Sequence, residues 1–286
     1  MLEFFFMSKI FVTHQPKKSW LKKYISYYYF HQNTISGDEN RFIYYSNVEN
    51  ALTIYKNSLV DFSNEKLSTT YPCENQYFFL YSGIIKDYFL VNLIAPYDKI
   101  GIVFKPLGLQ YFIKDSVDFI LKLTEKKRSE YFQNLLKTDL DRLFDKNIEK
   151  RVKSLDQLFS GLFHAFEDDK FIQIMDEVID GLDETNINQL SQKFGLSTKT
   201  LQRKFQKNFA VTPKQYLKVV KFRRAFNHYM QENKAINFTD LSYFYHYYDQ
   251  SEYIHHFKSI TGTSPKKLFR NIEKLSEEDI YWNFKV

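Results

Sequence analysis

The chain has 286 residues, 40 of them basic and 34 acidic, for a net charge of +6. At 44% apolar content it can build packed cores, which excludes wholesale disorder. The single cysteine, Cys73, excludes a disulfide framework and Cys-rich zinc modules. At roughly 100–200 residues per domain, the length fits about two domains. No stretch approaches the about 18 uncharged apolar residues of a membrane span. The first ten residues lack the basic region of a signal peptide, so a cytoplasmic location and no membrane partner are expected.

Residues 1–114 read as a β-rich domain. Arg41–Tyr45, Ala51–Tyr55, Tyr77–Tyr81, Tyr88–Ile94 and Ile100–Phe104 are short, β-branched and aromatic. Turn signals at Ser36–Asp38, Ser82–Gly83 and Pro96–Asp98 separate them. This spacing predicts a small barrel or sandwich with flanking helices. A metal-dependent barrel enzyme needs two or three inward histidines and a carboxylate. Only His14 and His31 precede residue 160, in no ligand spacing, so no metal and no cofactor are expected. The aromatics are core, or the lining of a pocket for a small-molecule effector. Cys73 is an inert thiol, or the acceptor of an alkyl-transfer enzyme.

Residues 115–181 read as helical. Ile148, Val152, Leu155, Phe159, Leu162 and Phe166 alternate spacings of four and three, a narrow apolar stripe. Such a helix packs on the β domain or pairs two copies into a homodimer. A polar link, Leu182–Asn186, follows.

Residues 182–270 hold fifteen basic and six acidic residues, a net +9, which leaves −3 for the rest of the chain. A localised basic excess is the electrostatic footprint of a polyanion binder. The same segment contains an internal repeat. Leu190, Ser191, Phe194, Leu201, Phe205, Ala210 and Pro213 recur as Leu241, Ser242, Tyr245, Tyr253, Phe257, Gly262 and Pro265. The leading halves are offset by 51 and the trailing halves by 52. Each copy patterns as a helix-turn-helix. In the first, Gly195 ends one helix and Ser197 or Thr198 caps the next. In the second, Asp249 is the expected cap. Pro213–Met230 between them reads as one continuous helix, roughly 27 Å long.

In such a motif the second helix lies in the major groove and turns its outward side chains to base edges. On the first copy these are Thr198, Lys199, Thr200, Gln202 and Arg203, and on the second Gln250, Ser251, Ile254 and His255. Arg203 suits a bidentate contact to guanine, the glutamines suit adenine, and Thr200 and Ile254 suit a thymine methyl. Lys204, Lys207 and Lys258 suit phosphates. The partner expected is double-stranded DNA, read in two successive major grooves.

These residues carry a resemblance. Residues 182–270 resemble the AraC/XylS family of bacterial transcription regulators, most closely along Tyr247–Lys258 and Thr261–Pro265. The resemblance implies two helix-turn-helix units joined by a long helix. Two positions depart from the family pattern: His246 and Ala210 stand where the family usually has glycine. Pro16, Trp20–Leu21, Tyr24–Ile25 and Val103–Gly108 look like a sensor-type β domain of the kind that precedes such readers. The expected protein is thus α+β: a β domain over 1–114, a helical segment over 115–181, an all-α DNA-binding domain over 182–270 and a tail over 271–286. A ligand or partner at the β domain would change promoter occupancy or contact with RNA polymerase. The alternatives are an alkyl-transfer enzyme built on Cys73 and fused to the reader, and an architectural DNA binder without effector.

Overall fold

The structure, a computed structural model, describes residues 9–64, 67–85, 88–181, 186–232, 235–274 and 281–283. The extreme amino terminus, residues 182–185 of the polar link and most of the tail lie outside them.

Seven strands form one curled sheet: β1 (Lys9–His14), β2 (Ile25–Asn33), β3 (Glu39–Tyr44), β4 (Asn50–Asn64), β5 (Leu67–Ser82), β6 (Phe89–Ile94) and β7 (Tyr97–Phe104). Their order is β1-β2-β7-β4-β5-β6-β3, so β1 and β3 are its edges and the sheet is an open half-barrel. Every pairing is antiparallel except that of β5 with β6. The five segments expected as strands fall on β3 to β7, two of them far longer than their apolar cores. β1 and β2 are additions to that reading.

Side chains alternate across a strand with period two, and this sorts the sheet into two faces. Tyr28 and Phe30 of β2, Leu52 and Ile54 of β4, and Ile100, Ile102 and Phe104 of β7 enter one core. That core is completed by helices from the segment expected to be a separate helical stretch. They are α1 (Val117–Lys122), α2 (Glu125–Leu136) and α3 (Ile148–Leu162). Val152, Leu155 and Phe159 of α3 are fully buried there. The apolar stripe is therefore already covered by the sheet and is not available to pair two copies. Buried polar contacts fix α3 in place: Arg151 forks onto Asp98 at 2.9 and 2.8 Å, and Tyr28 donates to Asp156 at 3.0 Å.

The carboxy-terminal half is helical: α4 (Asp169–Asp180), α5 (Ile187–Lys193), α6 (Thr198–Phe209), α7 (Pro213–Gln231), α8 (Phe238–Phe244), α9 (Gln250–Thr261) and α10 (Pro265–Asn271). A short strand pair, β8 (Ile272–Lys274) with β9 (Tyr281–Asn283), follows. Phe171, Ile174, Met175 and Val178 of α4 share a core with Leu190, Leu201, Phe205 and Tyr216. Thus α4, inside the stretch expected as linker, packs as the first helix of the carboxy-terminal head, in a core that Ile84 and Leu107 of the β domain also enter. A second core joins Phe222 and Phe226 of α7 to Leu241, Tyr253, Phe257 and Phe269. Helix α7 lies in both cores and ties the two motifs together.

Candidate functional site

Both turns form as the sequence requires. Gly195 sits at φ +59° between α5 and α6, a left-handed conformation that glycine adopts without steric cost. Its counterpart His246 adopts φ +54° between α8 and α9, and Lys221 Nζ donates to its carbonyl at 2.9 Å. Ala210 likewise takes φ +57° at the end of α6. Ser197 accepts from Thr200 N at 3.1 Å and Asp249 accepts from Glu252 N at 2.8 Å, capping α6 and α9. Thr212 and Gln215 form a capping box at the start of α7, with Pro213 in its first turn.

Helix α6 buries Leu201, Phe205, Asn208 and Phe209. Thr198, Lys199, Gln202, Arg203 and Lys207 are exposed on the opposite side, with Thr200 half-buried and its hydroxyl 2.9 Å from that of Ser197. Lys204 is different. Its ammonium is paired with Asp168 at the amino-terminal cap of α4 and lies over the Phe171 ring. The side chain expected to meet a phosphate is thus turned into the head, because Asp168 lies within its reach and offers a charged partner. Helix α9 buries Tyr253, Phe257, Ile260 and Thr261, and exposes Gln250, Ser251, His255 and Lys258. Ile254 is half-buried against the second head core rather than presented freely. Burial pushes the neighbouring His256 down to about 4, so it is neutral at pH 7 and accepts or donates only as an imidazole beside the Tyr247 hydroxyl, 2.7 Å away.

The other face of the sheet encloses a cavity of about 390 Å³. Tyr27, Tyr29, Phe42, Thr53 and Tyr55 line it, and Lys99 stands among them at 2% exposure. Three rings, Tyr29, Phe42 and Tyr55, lie 5.5–5.9 Å from its ammonium. Burial lowers the Lys99 pKa to about 7. Sequence reading missed this group. A strand started at Tyr97 instead of Ile100 places Lys99 opposite the Ile100, Ile102 and Phe104 face, which was the available signal. Gly101 keeps the wall open for Tyr29, whose ring crosses where a Cβ would stand.

One side chain in the cavity wall comes from the reading head. Arg223 of α7 is 9% exposed, and its Nε has no hydrogen-bond partner among the described residues. It also borders a second cleft, of about 860 Å³, shared with Glu49, Tyr27 and α4. Tyr45 packs beside it against Phe222 and Phe226 of α7, at 6.0 and 6.1 Å. The β domain and the head therefore meet along α7. Cys73 lies half-buried on β5 and lines neither cavity. Among the described residues, no group of three His, Cys, Asp or Glu side chains is placed to hold a metal ion, and no helix is long and apolar enough to cross a membrane.

Comparison with known proteins meets this geometry in the head. Residues 190–271 match the family model described as a helix-turn-helix domain, a match that spans both motifs and their spacer. The carboxy-terminal part of the chain is a helix-turn-helix domain. No curated protein matches the chain. Solved structures of ToxT from Vibrio cholerae resemble it over most of its length. One, at 1.65 Å resolution, is 10% identical, covers 84% of this chain and 96% of its own, and has a TM-score of 0.42. Another, bound to (E)-4-(8-methylnaphthalen-1-yl)but-3-enoic acid, is 10% identical, covers 83% and 96%, and has a TM-score of 0.43.

Proposed function

We propose that the protein reads a specific duplex through α6 and α9 in two successive major grooves, and that a small molecule in the β-domain cavity controls this reading. The observation that carries the first part is the pair of capped helices with exposed polar faces, joined by the 19 residues of α7. At 1.5 Å per residue α7 spans about 28 Å, close to the roughly 34 Å between successive major grooves. Thr198, Lys199, Thr200, Gln202 and Arg203 would meet bases from one motif, and Gln250, Ser251 and His255 from the other. Lys207 and Lys258 would meet phosphates. The second part rests on the aromatic cavity and on Arg223, a head residue in its wall. A ligand that engages Arg223 changes the setting of α7, and with it the spacing of the two motifs. The protein acts as a regulator rather than an enzyme, in the cytoplasm, on promoters served by RNA polymerase.

Selection of binding duplexes from random sequence tests the reader. The expected result is an enriched bipartite motif; no enrichment contradicts sequence-specific reading. The best duplex, titrated with an Ala51→Trp variant whose indole fills the cavity, tests the coupling. A change in affinity of about fivefold or more is expected, the lower end of typical allosteric coupling. Equal affinity in a folded variant contradicts control through the cavity.

A further inference from the structure

Gln206 occupies the outward face of α6, one turn beyond Gln202 and Arg203. Its side chain is exposed but tethered. Gln206 Nε2 donates to Asp118 Oδ1 at 2.7 Å, and Asp118 belongs to α1 of the β domain. The other carboxylate oxygen accepts from Lys122 Nζ at 2.6 Å. Helix α1 is held from behind by Val117 and Ile120, which are buried in the sheet core. A second link lies nearby: Gln110 Nε2 donates to the Asn208 carbonyl at 2.6 Å, in a buried bond across the same junction. The β domain is therefore fastened to the carboxy-terminal half of the first recognition helix, and one fastening sits on its reading face.

We infer that α1 is an autoinhibitory latch on α6, with the Asp118 carboxylate standing where a DNA phosphate approaches. The inference rests on α6 being a recognition helix. Duplex DNA carries one negative charge per roughly 1.7 Å of axis, so a carboxylate on the groove-facing surface repels it. The hydrogen bond to Asp118 also withholds the Gln206 amide from the backbone. Lys122 offsets part of the charge, so the repulsion is partial. Full engagement of α6 requires α1 to swing away, and whatever loosens α1 from the head raises DNA affinity.

Affinity of the full chain for the selected duplex tests the latch. Asp118→Ala removes both the charge and the hydrogen bond, and is expected to bind about two- to tenfold more tightly, the range spanned by one net hydrogen bond. Asp118→Asn keeps an acceptor for Gln206 and loses only the charge, so it is expected to fall between Asp118→Ala and the parent. Unchanged or weaker binding by a folded Asp118→Ala variant overturns the latch. Hydrogen exchange on the unaltered protein gives an answer that no variant can spoil. The α1 amides are expected to exchange faster when the duplex is added, and slower or unchanged exchange overturns the proposal. Failure of the parent itself to bind any duplex removes the reading of α6, which is a distinct result.

Discussion

Two neighbouring cations on α6 have different fates, and the difference is chemical. Arg203 projects from the exposed face, whereas Lys204 is held by Asp168 and half withdrawn from solvent. Arg203→Ala should weaken binding to the preferred duplex by about 1–3 kcal/mol and relax one base position. Lys204→Ala should leave the salt dependence of binding unchanged and lower the stability of the head by about 1 kcal/mol. Lys207→Ala should reduce the salt slope by about one. Binding isotherms at several salt concentrations, with thermal melts, separate these outcomes. A slope reduced by about one in Lys204→Ala contradicts the pairing with Asp168. At this scale the sequence exposes the type of each side chain and its face on the helix. It hides Asp168, 36 residues away, because only the packing of α4 brings that carboxylate within reach.

Among the elements, those specified by local chemistry were legible. Gly195, Ser197, Pro213 and Asp249 mark the boundaries of α6, α7 and α9 because caps, first-turn prolines and left-handed turns are set within a few residues. The strand segments were legible as apolar runs, but β1 and β2 were not. β2 is rich in tyrosine on both faces, one set in the core and one in the cavity wall, so no polar alternation shows. The assignment of α1 to α3 to the β domain, and of α4 to the head, depends on which core each apolar face enters. A stripe on α3 describes such a face without naming its partner. Strand register also decides the fate of Lys99. On β7 it shares a face with Val103 and faces the cavity instead of solvent. Its pKa is held near 7 against an ordinary 10.5. Between those values the unfolded chain binds the extra proton, so this group makes stability rise with pH across about 7 to 10.5. Below pH 7 its cost is fully present. Lys99→Met should abolish that rise and stabilise the protein at pH 7 by on the order of 1–3 kcal/mol. Denaturant midpoints at pH 7 and 9 check this. A parent and variant that respond to pH in parallel contradict it.

For the whole molecule, the net +6 divides into +9 on the reading head and −3 on the remainder. The acidic remainder is nevertheless in direct contact with the head. Tyr45 abuts α7, Gln110 is bonded to Asn208, and Asp118 is bonded to Gln206. Cavity, spacer helix and recognition helix thus form one continuous path, with Arg223 at the cavity end and α1 at the reading end. The two motifs, held by α7, are proposed to sit on one face of a duplex. Hydroxyl-radical footprinting of the selected duplex tests it most directly. Two protected patches about 10 base pairs apart, on the same face, are the expected result. A single patch, or two patches half a turn out of phase, would contradict the account.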